Sequence, residues 1–433
     1  MRKLLWLVAG GLGLASWAAA LDIPLSIVER AGVDRIDNHV NSGIPLPLGA
    51  YKDTARFALY GADGKVIPAE FVIRERWLKD DSIRFMTVHF STAQKANETA
   101  KVTVKDDGKA VALPKPVAVT EAADSVTVDT GAVKFTVKKG EWRLFEQVEL
   151  QGAPLLREPG KVIFKAEYGR TPVENEIATP PGEGEVKDAQ AMIKEIAVEE
   201  KTPGRAVVWV KGSFQEGGAD KLDFQARYYA TAGSEAVRVM VSLINRQGKA
   251  WDEFVGIRSL GFELPMKLDG DAKFAVGSSE GDDLAGALAA ADKVVVLQPS
   301  SLEYSVTGKV EAKGKCKELN TQRVGWISLG GKSAELTAAV RWFWQLHPKG
   351  LAAAGDGTMK VYLVPPQKEK VTVPAEEYSE PLTRIDLYTG AAKTHEVLFS
   401  FHKPGTPAEA RARAMSVVAP LFAACEPAWY CQK

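Results

Sequence analysis

The chain has 433 residues, more than the roughly 250–300 at which a single core usually divides, so two domains are expected. Its 55 basic and 55 acidic residues balance, which excludes a polyanion-binding surface spread over the whole molecule and with it a general nucleic-acid binder, while leaving room for a local basic groove. Three cysteines are too few for a disulfide-built scaffold.

In chain order, the first element is an export signal. Arg2 and Lys3 give a positive start, Leu4 to Trp17 form an apolar run too short for a comfortable membrane span, and Ala18-Ala19-Ala20 supplies a small-residue cleavage pattern. Cleavage after Ala20 places the protein in a secreted or periplasmic compartment. An uncleaved anchor is the alternative, weakened by Gly10, Gly11 and Gly13. Removing Arg2 and Lys3 leaves 53 basic against 55 acidic residues, about −2.

From residue 21 to 116 short strands alternate with turn residues. FALYGADGKVIPAEF sets Asp63-Gly64 between two apolar runs, a hairpin signal. SIRFMTVHF, as a strand, puts Arg84, Met86, Val88 and Phe90 on one face and Ile83, Phe85, Thr87 and His89 on the other. This spacing predicts a small β-barrel domain, closed by a linker at Pro114 and Pro116. A larger antiparallel β-sandwich is expected over 117–403, where SVTVDTGAVKFTVKKG turns at Thr130-Gly131, and RAVVWVKGSF, LDFQARYYAT and AVRVMVSLIN have the length of sandwich strands. TPVENEIATPPGEGEVKDAQ reads as an exposed loop, and PPQKEKVTVPAEEY as a solvated loop and edge strand.

Two stretches read as helical. Asp282 and Asp283 precede the alanine-rich LAGALAAAD. Over 404–433, Thr406 and Glu409 fit a capping box, Pro407 takes the first helical position, and Pro420 kinks or ends the helix. Its stripe of Met415, Val418, Leu421 and Phe422 needs a partner, either the sandwich or a further helical domain. Cys425 and Cys431, close in sequence around Pro427, are the expected disulfide, with Cys316 reduced.

Four segments resemble the exo-rhamnogalacturonan lyases of the YetA-like family: SGIPLPLGA with GADGKVIPAEF and WLKDDSIRF; VDTGAVKFTV with RYYATAGSEAVRVMVSLIN; RWFWQLHPKGL; and GAAKTHEVLFSFH. The resemblance implies an N-terminal RIFT barrel and a central β-sandwich. The family more often carries glycine and tryptophan where Asp81 and Phe85 stand, and its enzymes continue into a helical toroid, which would begin near residue 404 and which a partner chain would otherwise have to provide. It implies cleavage of the rhamnogalacturonan backbone of pectin by β-elimination, with an acidic plant polysaccharide or oligosaccharide as ligand and no cofactor.

Such chemistry needs a cation on the uronate carboxylate, a base for the proton beside it and an acid for the leaving oxygen. Tyr388, Lys393 and His395 lie within eight positions, and on an extended strand Lys393 and His395 share a face, so Lys393 is expected on a carboxylate and His395 in proton transfer. The bland alternative is a solvated lysine beside a structural histidine. Arg341, Trp344 and His347 are the expected sugar contacts, Arg341 by a bidentate pair and a tryptophan by stacking, with core packing as the alternative. His39 and His89 are expected to be half-buried and structural. No spacing of histidines and cysteines suggests a metal. Two other function classes stay open: a carbohydrate-binding protein without catalysis, and a structural or assembly module.

Overall fold

The computed structural model describes residues 21–170, 173–174, 177–178, 185–278, 282–300, 303–315, 324–366 and 384–431. The export signal, Cys316, and most of the two polar segments fall outside the described residues. Within them the chain is almost entirely antiparallel sheet, as its alternating pattern predicts.

The expected N-terminal domain is built from two small sheets on one core. The three-stranded sheet pairs Ile83–Gln94 with Arg35–Pro45 and Ala69–Arg76. The five-stranded sheet runs from Val66–Ile67 through Ala58–Gly61, Thr99–Lys105 and Asp22–Val28 to a last strand, Ala423–Cys425. Met86, Val88 and Phe90 are buried as the alternation requires, beside Ile23, Leu25, Val104 and Leu421. Asp81 stands at φ 60, the left-handed region that glycine enters freely and aspartate tolerates.

The sandwich faces a ten-stranded sheet with a nine-stranded one. Inward-pointing Val208, Val210, Tyr228, Val239, Phe262, Leu351 and Phe399 share one core. Buried Trp142 ties the layers together. Its ring stacks on Phe224 at 4.3 Å, meets Phe262 edge-on at 5.7 Å, and donates through Nε1 to the Tyr228 hydroxyl at 2.7 Å. Gly212 is required where Gln190–Lys201 bulges against Arg205–Glu216, since a Cβ there would lie 1.9 Å from the Met192 carbonyl oxygen.

Helix α1 spans Pro407–Val418 with the expected capping box from Thr406 and Glu409, and Ala419 caps it just before Pro420. Met415 packs back on the sandwich, against Trp326, Ala339 and Leu398, while Leu421 enters the N-terminal core and Phe422 is exposed. The other expected helix is a strand. Leu284–Leu288 pairs along the sheet edge with Ala272–Val276, where ladder hydrogen bonds and tertiary context override the high helix propensity of alanine.

The expected disulfide is also corrected. Cys425 is buried in a strand and Cys431 is exposed at the end of helix α2, Pro427–Cys431, and both are free thiols. The helix carries Cys431 away from the strand, and Trp429 donates from Nε1 to the Pro45 carbonyl at 3.0 Å, which fixes that path.

The two units are clamped together. Glu70 accepts from the Thr202 hydroxyl at 2.8 Å and the Gly204 amide at 3.1 Å. Arg35 donates to the Ala419 carbonyl at 2.8 Å.

Candidate functional site

Lys393 and His395 do share a face of Ala392–His402, but it is the inner one. Val397, Phe399 and Phe401 continue the same phase into the core. Lys349 belongs to the facing sheet, in the phase of core residues Leu351 and Ala353. Its ammonium donates to the carbonyls of Leu363 at 2.9 Å, Pro348 at 3.1 Å and Leu346. His347 completes the group, its Nδ1 3.1 Å from the Trp344 carbonyl oxygen. Burial, then the charges of Lys349 and Lys393, hold His395 well below the ordinary imidazole value, and burial lowers Lys393. His395 is only 1% exposed, so proton transfer with a polymer lying on the surface is out of its reach.

The remaining expected site residues disperse. Tyr388 ends Ile385–Tyr388 in the nine-stranded sheet, its ring 5.8 Å from Phe254 on the face opposite core residue Leu387. The turn at Thr389–Ala391 carries the chain from one sheet to the other, so nearness in sequence does not join Tyr388 to Lys393. Arg341 to Leu346 form turns, with Trp342 at φ 56. Trp344 is half-buried, and Arg341 goes to the outer face of the ten-stranded sheet.

That outer face carries a constellation the sequence reading missed. Register aligns Val207, Tyr229, Arg238 and Leu398 across four strands, and beside them Trp209, Arg227, Met240 and Glu396. Their neighbours Val208, Tyr228, Val239 and Val397 fill the core, so these side chains stand outward. Glu396 accepts from Arg238 at 3.2 Å and Arg341 at 2.9 Å. Glu199 takes both arms of Arg227, at 2.6 and 2.8 Å, and raises its pKa. Tyr229 orients two further cations, with Arg238 4.5 Å and Arg205 5.1 Å from its ring centroid. Arg341 lies 4.9 Å from the ring of Trp342, which is 49% exposed.

The N-terminal unit forms a wall beside this floor. Arg74 reaches Glu200 at 3.1 Å, and Glu200 also pairs with Arg205 at 3.4 Å. Behind them the rings of His39 and His89 stack 5.5 Å apart. Arg74 donates to His89 Nε2 at 3.2 Å, which leaves His89 Nδ1 to donate to His39 Nε2 at 3.4 Å. Burial first, then neighbouring charge from His89, Arg205 and Arg238, lowers His39 to about 3; burial, Arg205 and Arg74 lower His89 to about 4. Both imidazoles are neutral at pH 7. Five arginines, 74, 205, 227, 238 and 341, face three carboxylates, 199, 200 and 396. The surplus of fixed guanidinium suits a carboxylate-bearing ligand, and Trp209 and Trp342 offer ring faces to a sugar.

Among the described residues, no group of three or more histidine, cysteine, aspartate or glutamate side chains is placed to hold a metal. No described helix is long and apolar enough to cross a membrane.

Residues 117–274 match the family model of the PcRGLX-like protein central beta sandwich domain. The matched stretch carries Trp209, Arg227, Tyr229 and Arg238, four residues of the outer face. The chain is also 22% identical over 466 residues to the uncharacterized protein YetA of Bacillus subtilis (strain 168), across 92% of this chain and 52% of that protein. It thus spans about half the length of the curated relative it matches. Together the two matches relate the chain to RGLX-like proteins. A protein of glycosyl hydrolase family 38 from Enterococcus faecalis superposes with a TM-score of 0.50 at 11% identity, covering 94% of this chain and 47% of that one. That likeness shows the fold alone. An alpha-mannosidase from Enterococcus faecalis V583 superposes at 0.49 and 12% identity, over 94% and 46% of the two chains.

Proposed function

We propose that this chain is the saccharide-holding part of a rhamnogalacturonan-lyase-like protein, and that an acidic pectic oligosaccharide lies on the outer face of the ten-stranded sheet. The observation that carries the reading is the row of fixed guanidinium groups on that face, in surplus over its carboxylates and beside accessible tryptophan rings. The two small N-terminal sheets fit the RIFT barrel of that family, and residues 1–20 fit export to where plant polymers are met. Arg238 and Arg341 would neutralise the uronate carboxylate, which is the first requirement of β-elimination.

A floor with one wall orients a substrate incompletely, and full orientation is worth roughly 7–11 kcal/mol of barrier. The expected behaviour of this chain alone is therefore binding without appreciable turnover. Calorimetric titration with rhamnogalacturonan oligomers, beside a neutral galactan of the same length, tests the reading, with absorbance of the unsaturated uronate product followed in parallel. Saturable heat with the acidic oligomer alone is expected, near millimolar affinity or about 4 kcal/mol. No heat, or equal heat with the neutral glycan, overturns it.

A further inference from the structure

The buried group at the end of the sandwich calls for its own explanation. Lys349, Lys393, His347 and His395 come from both sheets and the turn that joins them; the charges of the two lysines act on both histidines, and that of Lys393 on Lys349. Among the described residues no carboxylate answers them: Lys393 has no ion-pair partner there, and burial is what lowers its pKa. Lys349 spends its three donors on backbone carbonyls, which leaves none for a ligand, and burial, then the charge of Lys393, holds it well below the ordinary lysine value. Both ring nitrogens of His395, in a residue 1% exposed, lack any hydrogen-bond partner. Leaving a buried imidazole unsatisfied costs about 1–3 kcal/mol, so folding alone does not account for a histidine here.

We propose that this end of the sandwich is an anion site, separate from the outer face, that takes a single small oxyanion, a carboxylate or phosphate group. Lys393 and His347, both half-buried, form its rim. Lys393 supplies a charge-assisted hydrogen bond, and His395 donates one from a ring nitrogen. At 1% exposure His395 is out of a polymer's reach, so the ligand the site would take is a terminal acid group or a free anion.

The site is tested on the whole chain at pH 7 and constant ionic strength by NMR of ring-labelled histidines. The probes are inorganic phosphate, galacturonate, galactose as a neutral control, and chloride. Phosphate, galacturonate or both should move one buried histidine signal, the one missing in His395→Gln, with saturation, and galactose should not. Lys393→Met should weaken the apparent Kd at least roughly tenfold, the loss of one charge-assisted contact. A shift with phosphate alone assigns the site to free phosphate, and one with galacturonate assigns it to a sugar acid. Should His395→Gln fail to fold, thermal unfolding of wild type and Lys393→Met with and without phosphate gives the same comparison, since Lys393 lies at the rim. No saturable shift with either anion, or an undiminished response in Lys393→Met, overturns the proposal. Arg238→Ala leaves this response intact, so failure here and failure of the outer-face reading are told apart.

Discussion

Removing Arg238 is the sharpest test of the outer face. Its guanidinium lies 4.5 Å from the Tyr229 centroid and 3.2 Å from Glu396, an orientation set by side chains on three strands. A ligand carboxylate that loses such a charge-assisted partner loses about 1.5–3 kcal/mol, which is about 10- to 150-fold in Kd at ~1.4 kcal/mol per tenfold. The Arg238 side chain is 40% exposed, so its pair with Glu396 adds little to folding, within about 1 kcal/mol. Arg238→Ala should therefore bind rhamnogalacturonan oligomers about 10- to 150-fold more weakly with an almost unchanged urea midpoint. Arg238→Lys should recover only part of the loss, because a point charge keeps neither the forked geometry nor the stack on Tyr229. Titration calorimetry at low salt reads all three proteins. An Arg238→Ala affinity within twofold of wild type, with stability unchanged, would refute the reasoning.

Three further outcomes are expected. His39 and His89, lowered to about 3 and about 4 among Arg74, Arg205, Arg238 and Glu200, bind fewer protons folded than unfolded below the ordinary 6.5, so their contribution is complete above pH 6.5 and falls as pH drops towards 4. The urea midpoint should decline between pH 7.5 and 5.5, before carboxylates titrate, and less so in His39→Gln; a flat wild-type profile would contradict this. Glu29, fully buried with Arg35 at 2.7 Å, also accepts from the amides of Ala31, Gly32 and Asn97, so Glu29→Gln should cost about 3–5 kcal/mol in urea unfolding by stranding the arginine; less than about 1 kcal/mol would show that the pair is dispensable. In Cys316→Ser, a thiol reagent should label exposed Cys431 rapidly and Cys425, whose thiol burial pushes up, only on unfolding; two unreactive cysteines that appear after reduction would restore the disulfide.

Strand periodicity made most of the β architecture legible, as the buried phase of RAVVWVKGSF and LDFQARYYAT shows. The Thr406–Glu409 box located α1 because its signals are local. Local reasoning failed at Leu284–Leu288, where a sheet edge overrides composition. Lys393 and His395 were placed on one face correctly, but nothing within the strand says which side is covered. The outer face was missed because Trp209, Arg227, Arg238 and Glu396 lie on separate strands that only register aligns. A trace of it was visible: tryptophan, tyrosine and arginine occupy the outward phase of three successive strands, where lysine, threonine and glutamate are the ordinary choices.

The pairing of Ala423–Cys425 with Asp22–Val28 has a bearing on how the molecule reaches its native state. One sheet of the N-terminal unit is completed by a strand that follows the sandwich, so the sandwich is, in connectivity, a long excursion between two parts of a smaller unit. During synthesis the N-terminal strands emerge first and wait, with the edge of Asp22–Val28 unpaired and Leu25 and Ile27 uncovered where Leu421, Ala423 and Cys425 will lie. Contacts of such high sequence separation form late and slowly, and an open strand edge is a template for association with other chains. Consolidation of the first-made unit therefore depends on residues made only after the sandwich. A nascent or truncated chain ending near residue 404 would keep a finished sandwich attached to an unfinished, aggregation-prone N-terminal sheet.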